Sequence, residues 1–305
     1  MDAHTDTLKR RIRFAPPQPV DKRIDLSDDD LALFAAIHRH GPLPSHYLFA
    51  FTGKSNFNSH QHRLTKLYNG TAHGAYLVRP PQQFASFHAR YQPIVYDLNE
   101  KSKQLLIEHG KISPFIKRLD PFLHRLMSAC VGASIELSCT PRGLTYIPRH
   151  AILKRTDSPM ELPLSQFVPQ KSLVPDDLFG IDYGGSYRFF AVEIDRNTES
   201  IERRKIDQNT FGKKLACYID AMKHRTFKDV WGIPNMMVLT ITTNATHMNN
   251  MMAYLEKLDP TLSARFLFKA LPTFGSNWRV PKTVYTDILG PWDRADGSVF
   301  DIDKA

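Results

Sequence analysis

The stretch Arg188–Arg196, with the sequence RFFAVEIDR, decides the fold of the larger part of this chain. Its aromatic and β-branched residues predict a strand, and LFGIDYG at 178–184 predicts a second strand just before it. The glycine-rich turn between the two strands makes them a hairpin. Side chains alternate along a strand, so Glu193 and Asp195 should share one face. With Asp176 at the start of the other strand, the hairpin should gather carboxylates at one edge of a sheet.

Helices and strands alternate on both sides of this hairpin. We predict helices over 121–137, 209–225 and 245–258, and further strands over 143–153, 236–244 and 264–271. The order α-β-β-β-α-β, followed by one more αβ pair, predicts a mixed sheet covered by helices. The fold class is therefore α/β (α+β), with this domain spanning 118–290 and a tail at 291–305.

The carboxylates of the hairpin are candidates for chemistry. Asp176, Glu193 and Asp195, with a backbone carbonyl and waters, could form an oxygen-rich Mg²⁺ site. A metal held there could activate water and stabilise charge on a phosphodiester. Lys214 and Tyr218 lie about one turn apart on the next predicted helix and complete the candidate catalytic set. The alternative is an ion-pair network of the acids with Lys213 or Lys214, because buried acids are costly unless paired or metal-bound.

The first part of the chain, 25–112, predicts a smaller domain. Ser27 and three following aspartates begin a helix that ends at Gly41, and Pro44-Ser45 begins a short second helix. A third helix runs from near Asn58-Ser59 to Asn69-Gly70, and a hairpin follows over 75–80 and 93–98. Asn99 caps a fourth helix. Three helices and a two-stranded wing are the winged helix-turn-helix arrangement.

Double-stranded DNA is the partner that this arrangement favours. A recognition helix fits the major groove, where arginine, lysine and glutamine contact bases or phosphates, and a wing lies on the flanking backbone. The alternative is a protein-interaction adaptor with the same helices and a merely solvated face. The predicted contacts lie on the third helix (His60, Gln61, Arg63 and Lys66) and on the wing (Arg79, Gln82, Gln83, His88 and Arg90).

Composition sets limits on the class of protein. The net charge is +9, which favours a polyanionic partner. No apolar run approaches the ~20 residues of a membrane span, and the basic, proline-containing arm at 1–24 lacks the apolar core of a secretory signal. The three cysteines form no CxxC pair and predict reduced thiols in a cytoplasmic protein.

The carboxylate motif resembles the PD-(D/E)xK nuclease motif, in which Pro-Asp precedes Glu-x-Lys on the next strand. More narrowly, the chain is similar to the replication-relaxation family of plasmid and mobile-element proteins over roughly residues 26–270. The resemblance rests on the winged helix, on PDxLF at Pro175–Phe179, on VEIDRNTES at Val192–Ser200 and on KKLACY at Lys213–Tyr218. It implies DNA binding linked to plasmid replication, relaxation or transfer, with replication or transfer proteins as partners, and a restriction-endonuclease-like second domain.

One position departs from the nuclease pattern. Asp195 stands where the motif has its lysine, so a third negative charge replaces the group that would stabilise the scissile phosphate. Lys214 would have to supply that charge from the following helix. The resemblance therefore favours a DNA-contacting domain without cleavage, and the alternative is a Mg²⁺-dependent DNA endonuclease that its winged helix directs to a target.

Overall fold

The structure, a computed structural model, describes residues 24–70, 74–84, 92–110, 121–163, 172–196, 211–274 and 280–304. These residues fall into two compact units. Unit 1 comprises 24–133 and 280–284, and unit 2 comprises 134–274 and 285–304, within the described ranges. The predicted arm at 1–24 lies almost wholly outside them. None of the described helices is long and apolar enough to cross a membrane.

Unit 1 has the predicted order of helices followed by a small sheet. Its elements are α1 (Asp28–His40), β1 (Leu43–Pro44), α2 (Ser45–Ala50), α3 (Phe57–Asn69), β2 (Leu77–Val78), β3 (Val95–Leu98) and α4 (Glu100–Glu108). The three strands form an antiparallel sheet in the order β1-β3-β2. The next helix is α5 (Phe122–Cys139). It begins one residue after the start of the predicted helix over 121–137 and ends two residues beyond its predicted end.

Local sequence explains where the helices of unit 1 begin. Ser27 and Asp30 form a capping box, in which each side chain accepts a hydrogen bond from the other residue's backbone N–H. Asn56 caps α3 by accepting from the backbone N–H of Ser59 at 3.0 Å, so this helix begins slightly earlier than the sequence predicted. Leu64 and Leu67 turn the apolar side of α3 into the core, where both are fully buried.

Unit 2 is built on a seven-stranded mixed sheet. Its elements are β4 (Thr145–Pro148), α6 (Arg149–Thr156), β5 (Leu162–Pro163), β6 (Ser172–Leu173), β7 (Asp177–Asp182), β8 (Tyr187–Asp195), α7 (Phe211–His224), α8 (Thr226–Trp231), β9 (Met237–Thr242), α9 (Ala245–Leu258), β10 (Phe266–Ala270), β11 (Trp292–Asp293) and β12 (Val299–Phe300). The strand order is β12-β11-β10-β9-β8-β7-β4, and β5 pairs with β6 separately. Strands β8, β9 and β10 are parallel, and the remaining neighbours are antiparallel. The predicted mixed α/β fold is confirmed.

Two predictions about unit 2 are wrong. The strand predicted over 143–153 ends at Pro148, and helix α6 follows at once and buries Ile152 in the core. The predicted tail at 291–305 instead contributes β11 and β12 to the sheet, because Trp292 and Ile302 are fully buried. Short strands of two residues carry too little pattern to be recognised in the sequence.

One face of the sheet positions the candidate site. Phe189 and Ala191 of β8 lie in a core with residues of β7, β9 and β10 and of helices α6 to α9. Gly180 on β7 is required there, because a Cβ at that position would stand 2.9 Å from the ring of Phe189. Glu193 and Asp195 continue the same alternation along β8, so they extend this face beyond its apolar part.

Candidate functional site

The carboxylates of unit 2 lie where parallel strands β8 and β9 end. Glu193 pairs in register with Thr240, and Asp195 with Thr242. Paired residues of neighbouring strands share a face, so these four side chains lie together. All four residues are less than 5% exposed. Polar groups buried to this degree must find partners or remain unsatisfied at a cost in free energy.

Asp176 is held beside Glu193 by the backbone of β8. Its own N–H donates to the carbonyl of Val192 at 2.9 Å, and its Oδ2 accepts from the N–H of Ile194 at 2.7 Å. These two bonds continue the β7–β8 ladder by one residue, which places Asp176 opposite Glu193. The sequence prediction that the hairpin brings these acids together is consistent with this geometry.

Helix α7 supplies both contacts to Glu193. The hydroxyl of Tyr218 donates to Oε1 at 2.5 Å, and Nζ of Lys214 lies 3.1 Å from Oε2. Lys214 and Tyr218 are four residues apart, so they lie on the same side of the helix. Lys214 keeps about 29% of its side chain exposed, whereas Tyr218 is fully buried. The structure therefore brings four of the predicted site residues into one cluster: Asp176, Glu193, Lys214 and Tyr218.

Burial controls the charge state of this cluster. Burial, and after it the charge of the neighbouring Asp176 carboxylate, raises the pKa of Glu193 to about 7, while Lys214 and Tyr218 oppose the shift. Burial and the charge of Glu193 also raise the pKa of Tyr218 well above its usual range, so its hydroxyl stays protonated and serves as a donor. Near neutral pH a substantial fraction of Glu193 is uncharged.

Asp195 has a different partner from Glu193. Its Oδ2 lies 2.7 Å from Nε2 of His247 on α9, and the histidine side chain is 13% exposed. Sequence reasoning missed His247, which lies in the first turn of α9, where its backbone N–H donates to the capping side chain of Asn244. It also missed Thr240 and Thr242, whose buried hydroxyls make no hydrogen bond with the described residues. The alternation in LTIT at 239–242 is the signal that could have revealed them.

The predicted Mg²⁺ ligands do not form a ready three-carboxylate site. Within the described ranges, no group of three or more histidine, cysteine, aspartate or glutamate side chains has an arrangement suited to a metal. Glu193 contacts Tyr218 and Lys214, and Asp195 contacts His247, so both carboxylates already have protein partners. This donor set resembles the ion-pair network that the sequence allowed as an alternative.

A polar surface on α3 is the candidate site in unit 1. The side chains that lie on it recur at helical spacing and are amide, hydroxyl, imidazole or ammonium groups: Asn58, Gln61, His62, Thr65, Lys66 and Asn69. Residues three and four apart share one side of a helix, so these six form a single stripe opposite the buried leucines. The helix contains no acidic residue.

Two predicted contacts on α3 have structural roles instead of projecting into solvent. His60 is only 7% exposed, and its ring packs 5.5 Å from the ring of Phe49. Burial lowers its pKa, so it is uncharged at neutral pH. Arg63 turns back to α1, where its guanidinium bonds both carboxylate oxygens of Asp30 at 3.0 and 2.5 Å and the carbonyl of Asp25. The prediction that both side chains project outward is wrong, because His60 packs against Phe49 and Arg63 bonds Asp30.

Some of the predicted wing residues also have partners inside unit 1, whereas others are exposed. Arg79 lies 4.0 Å from the ring centre of Tyr68 and donates to the hydroxyl of Tyr96, which fixes its orientation. Gln83 is buried and exchanges hydrogen bonds with Val95, so it braces β3 and is not a surface contact as predicted. Gln82 is exposed. Arg90 and His88 lie outside the described residues.

Comparison with known proteins identifies a family. A family model described as replication-relaxation matches residues 34–235, which is well over half of the chain. No curated protein and no solved structure matches significantly. The matched range includes the α3 stripe and the cluster from Asp176 to Tyr218, and it ends before Thr240 and His247.

Proposed function

The chain belongs to the replication-relaxation family, and from that premise we propose that it binds double-stranded DNA through a winged helix in unit 1. Its role would be the replication, relaxation or transfer of a plasmid or another mobile element, in the cytoplasm and together with replication or transfer proteins. We further propose that unit 2 has a nuclease-like fold that contacts DNA without cleaving it.

The polar stripe on α3 carries the DNA-binding proposal. Its amide and hydroxyl groups suit base edges in a major groove, and Lys66 suits a phosphate. A helix without acidic residues does not repel the DNA backbone, and the net charge of +9 adds a general attraction. Because a helix fits the major groove in width, the exposed side of α3 can reach several base pairs at once.

The order of elements in unit 1 supports the winged-helix assignment. Three helices precede the β2–β3 hairpin, and β1 joins that hairpin as the third strand of a small antiparallel sheet. This arrangement fixes α3 by packing its leucines inward, so its polar side faces solvent as a rigid surface. The connection between β2 and β3 includes exposed Gln82, which is suited to contact the sugar-phosphate backbone beside the groove.

The contacts of the buried acids support the absence of cleavage. Glu193 accepts a hydrogen bond from Tyr218 and lies 3.1 Å from Nζ of Lys214, so the lysine that would have to meet a phosphate already faces a carboxyl group. Asp195, which stands where nucleases of this kind carry lysine, contacts His247. A cluster that already satisfies its own charges has a structural explanation, since unpaired buried acids would destabilise the fold.

The DNA-binding proposal is tested by the salt dependence of binding. A fluorescently labelled mixed-sequence duplex is titrated with the full chain at several salt concentrations, and the anisotropy gives the dissociation constant. Replacing Lys66 by alanine should weaken binding and reduce the slope of log K against log salt by about one, because one phosphate contact releases about one counterion. Lys257→Ala is the matched control, since Lys257 is an exposed lysine on α9 of unit 2 and is not part of this stripe.

The alternatives predict other results. A protein-interaction adaptor would show no salt-dependent duplex binding at all. Binding with an unchanged slope in folded Lys66→Ala would remove α3 as the DNA-contacting helix. A Mg²⁺-dependent endonuclease would convert supercoiled plasmid to nicked or linear forms with Mg²⁺ or Mn²⁺, and Glu193→Gln would abolish that conversion. We expect wild-type protein to bind the plasmid and leave it supercoiled.

A further inference from the structure

Two arginines of unit 2 lie against the same phenylalanine ring. The guanidinium carbon of Arg294 is 4.7 Å from the ring centre of Phe300, and that of Arg188 is 5.1 Å from the same centre. Arg188 belongs to β8, whereas Arg294 follows β11 and Phe300 belongs to β12. The end of the chain folds against the β7–β8 hairpin, where the hydroxyl of Tyr183 donates to the carbonyl of Ile302 at 2.6 Å. This fold brings the two cations together.

Neither guanidinium has an anionic partner in the part of the chain that the structure describes. Both side chains are partly buried. Other partly buried arginines in the same ranges each pair with an aspartate, at 2.5 to 3.1 Å: Arg63, Arg125, Arg142 and Arg149. Two like charges beside one ring repel each other, and partial burial strengthens the repulsion because it reduces screening by solvent. A bound anion would offset this repulsion.

Most donors of the two guanidiniums are accessible to such an anion. The nitrogens of Arg188 and the terminal nitrogens of Arg294 are neither enclosed nor hydrogen-bonded within the described ranges, so they reach solvent. The Nε of Arg294 is enclosed, so it takes no part. Contact with the ring of Phe300 restricts both side chains, so they lose less freedom when they bind a ligand. The planar set of N–H donors on arginine matches the oxygens of a phosphate.

The aspartates of the β11–β12 hairpin do not neutralise this pair. Strand alternation places Asp293 on the face of the hairpin opposite to Phe300. Hydrogen bonds from Ser298, and after them the charge of Arg294, lower the pKa of Asp296. The carboxylate of Asp296 accepts from the backbone N–H and the hydroxyl of Ser298 at 2.9 and 2.6 Å, and it forms no ion pair with Arg294. An anion from outside the described chain is therefore the partner that the two arginines fit.

We propose that Arg188 and Arg294 form a phosphate-binding site on unit 2, and that the phosphates belong to the backbone of a DNA strand. The choice of DNA rests on the proposed function, in which unit 2 contacts DNA. It assigns that contact to residues outside the carboxylate cluster around Glu193. Such a contact carries no base sequence and adds affinity to the binding by α3. A free diphosphate presents the same oxygens, and the experiment separates the two sources.

The experiment uses the full chain with Arg188→Gln, Arg294→Gln and the two substitutions together. Anisotropy titrations at several salt concentrations use two labelled probes, a paired duplex and a single-stranded oligothymidylate, which has no major groove for α3 to enter. Thermal unfolding with and without inorganic pyrophosphate tests the free diphosphate, and unfolding without ligand checks that each variant is folded. Arg265→Gln, at an exposed arginine of unit 2 outside the pair, is the matched control.

With DNA phosphates as the ligand, each single substitution weakens duplex binding by about tenfold, and the double variant reduces the salt slope by about two. Arg265→Gln should change neither quantity appreciably. If the double variant does not fold, the single variants decide, because each removes one contact. The DNA source is also supported if wild type binds oligothymidylate and the double variant does not, even where wild type binds no duplex and the proposed function fails.

Other results assign the site differently or remove it. A pyrophosphate-induced rise in unfolding temperature that the double variant abolishes, with DNA binding unaffected, overturns the DNA source and supports a site for a free diphosphate. The whole proposal is overturned if the arginine variants equal wild type in DNA affinity, salt slope and response to pyrophosphate. It is also overturned if Arg265→Gln weakens DNA binding as much as Arg188→Gln and Arg294→Gln do, because general charge would then explain the effect.

Discussion

Replacing Glu193 by glutamine tests the electrostatic account of the buried cluster. In the wild-type protein, burial raises the pKa of this carboxyl from 4.5 to about 7. The folded state therefore holds the proton more tightly than the unfolded state does. Stability from this group is fully present below about pH 4.5 and is lost as the pH rises through about 7. Glutamine cannot titrate, so the variant should lose this part of the pH dependence.

The size of the effect follows from the two pKa values. A shift from 4.5 to about 7 corresponds to ~3 kcal/mol of unfolding free energy between acidic and weakly alkaline pH. Lys214 is only partly buried, so the loss of its charged partner Glu193 destabilises the variant much less than it would if Lys214 were fully buried. Relative to wild type, Glu193→Gln should therefore gain stability as the pH rises and should gain most above about pH 8.

Tryptophan fluorescence during denaturant unfolding provides the measurement. Trp231 and Trp292 are both fully buried in unit 2, so their emission reports the unfolding of the unit that contains the cluster. Unfolding curves at several values between about pH 5 and about pH 8.5 give the difference between variant and wild type. Glu256→Gln, at an exposed glutamate of α9, is the control. A difference for Glu193→Gln that stays constant across this range would refute the account.

Further predictions concern single contacts. Arg63→Ala should destabilise unit 1 by ~2 kcal/mol or more, because it leaves the buried carboxylate of Asp30 without its guanidinium partner; near-normal stability in thermal or denaturant unfolding would contradict that role. Gln83→Ala should cost ~1–3 kcal/mol through the lost hydrogen bonds to β3, and Gln82→Ala, at the exposed neighbour, should leave stability nearly unchanged. Adding Mg²⁺ should not raise the unfolding temperature of wild type at pH 8, and a clear rise that Glu193→Gln abolishes would show that the carboxylates bind metal.

The alternation of a strand made part of the site predictable. In RFFAVEIDR it placed Glu193 and Asp195 on one face, and the spacing of Lys214 and Tyr218 placed both on one side of α7. These are local periodicities, which a sequence displays directly. The meeting of Asp176 with Glu193 needed only the short hairpin between them.

Long-range partners were not predictable in the same way. His247 reaches Asp195 from a helix more than fifty residues away in sequence, and no local pattern connects the two. In the sequence, Arg63 looks the same as an arginine that contacts DNA, yet in the structure its guanidinium bonds Asp30 of α1. The sequence likewise suggested that His60 is exposed, but in the structure it is buried against the ring of Phe49. Tertiary packing decides such cases, because a charged or polar residue can lie either on the surface or in a buried position where it has a partner.

The late position of strands β11 and β12 has a consequence for how the chain folds during synthesis. Until residues 292–300 have left the ribosome, β10 is an open edge of the sheet, and its residues Phe266–Phe268 are fully buried only in the finished fold. An apolar strand with free backbone groups can pair with a strand of another chain. Nascent or truncated chains that lack these last strands are therefore the species most exposed to aggregation, and production of shortened forms should preserve residues 292–300.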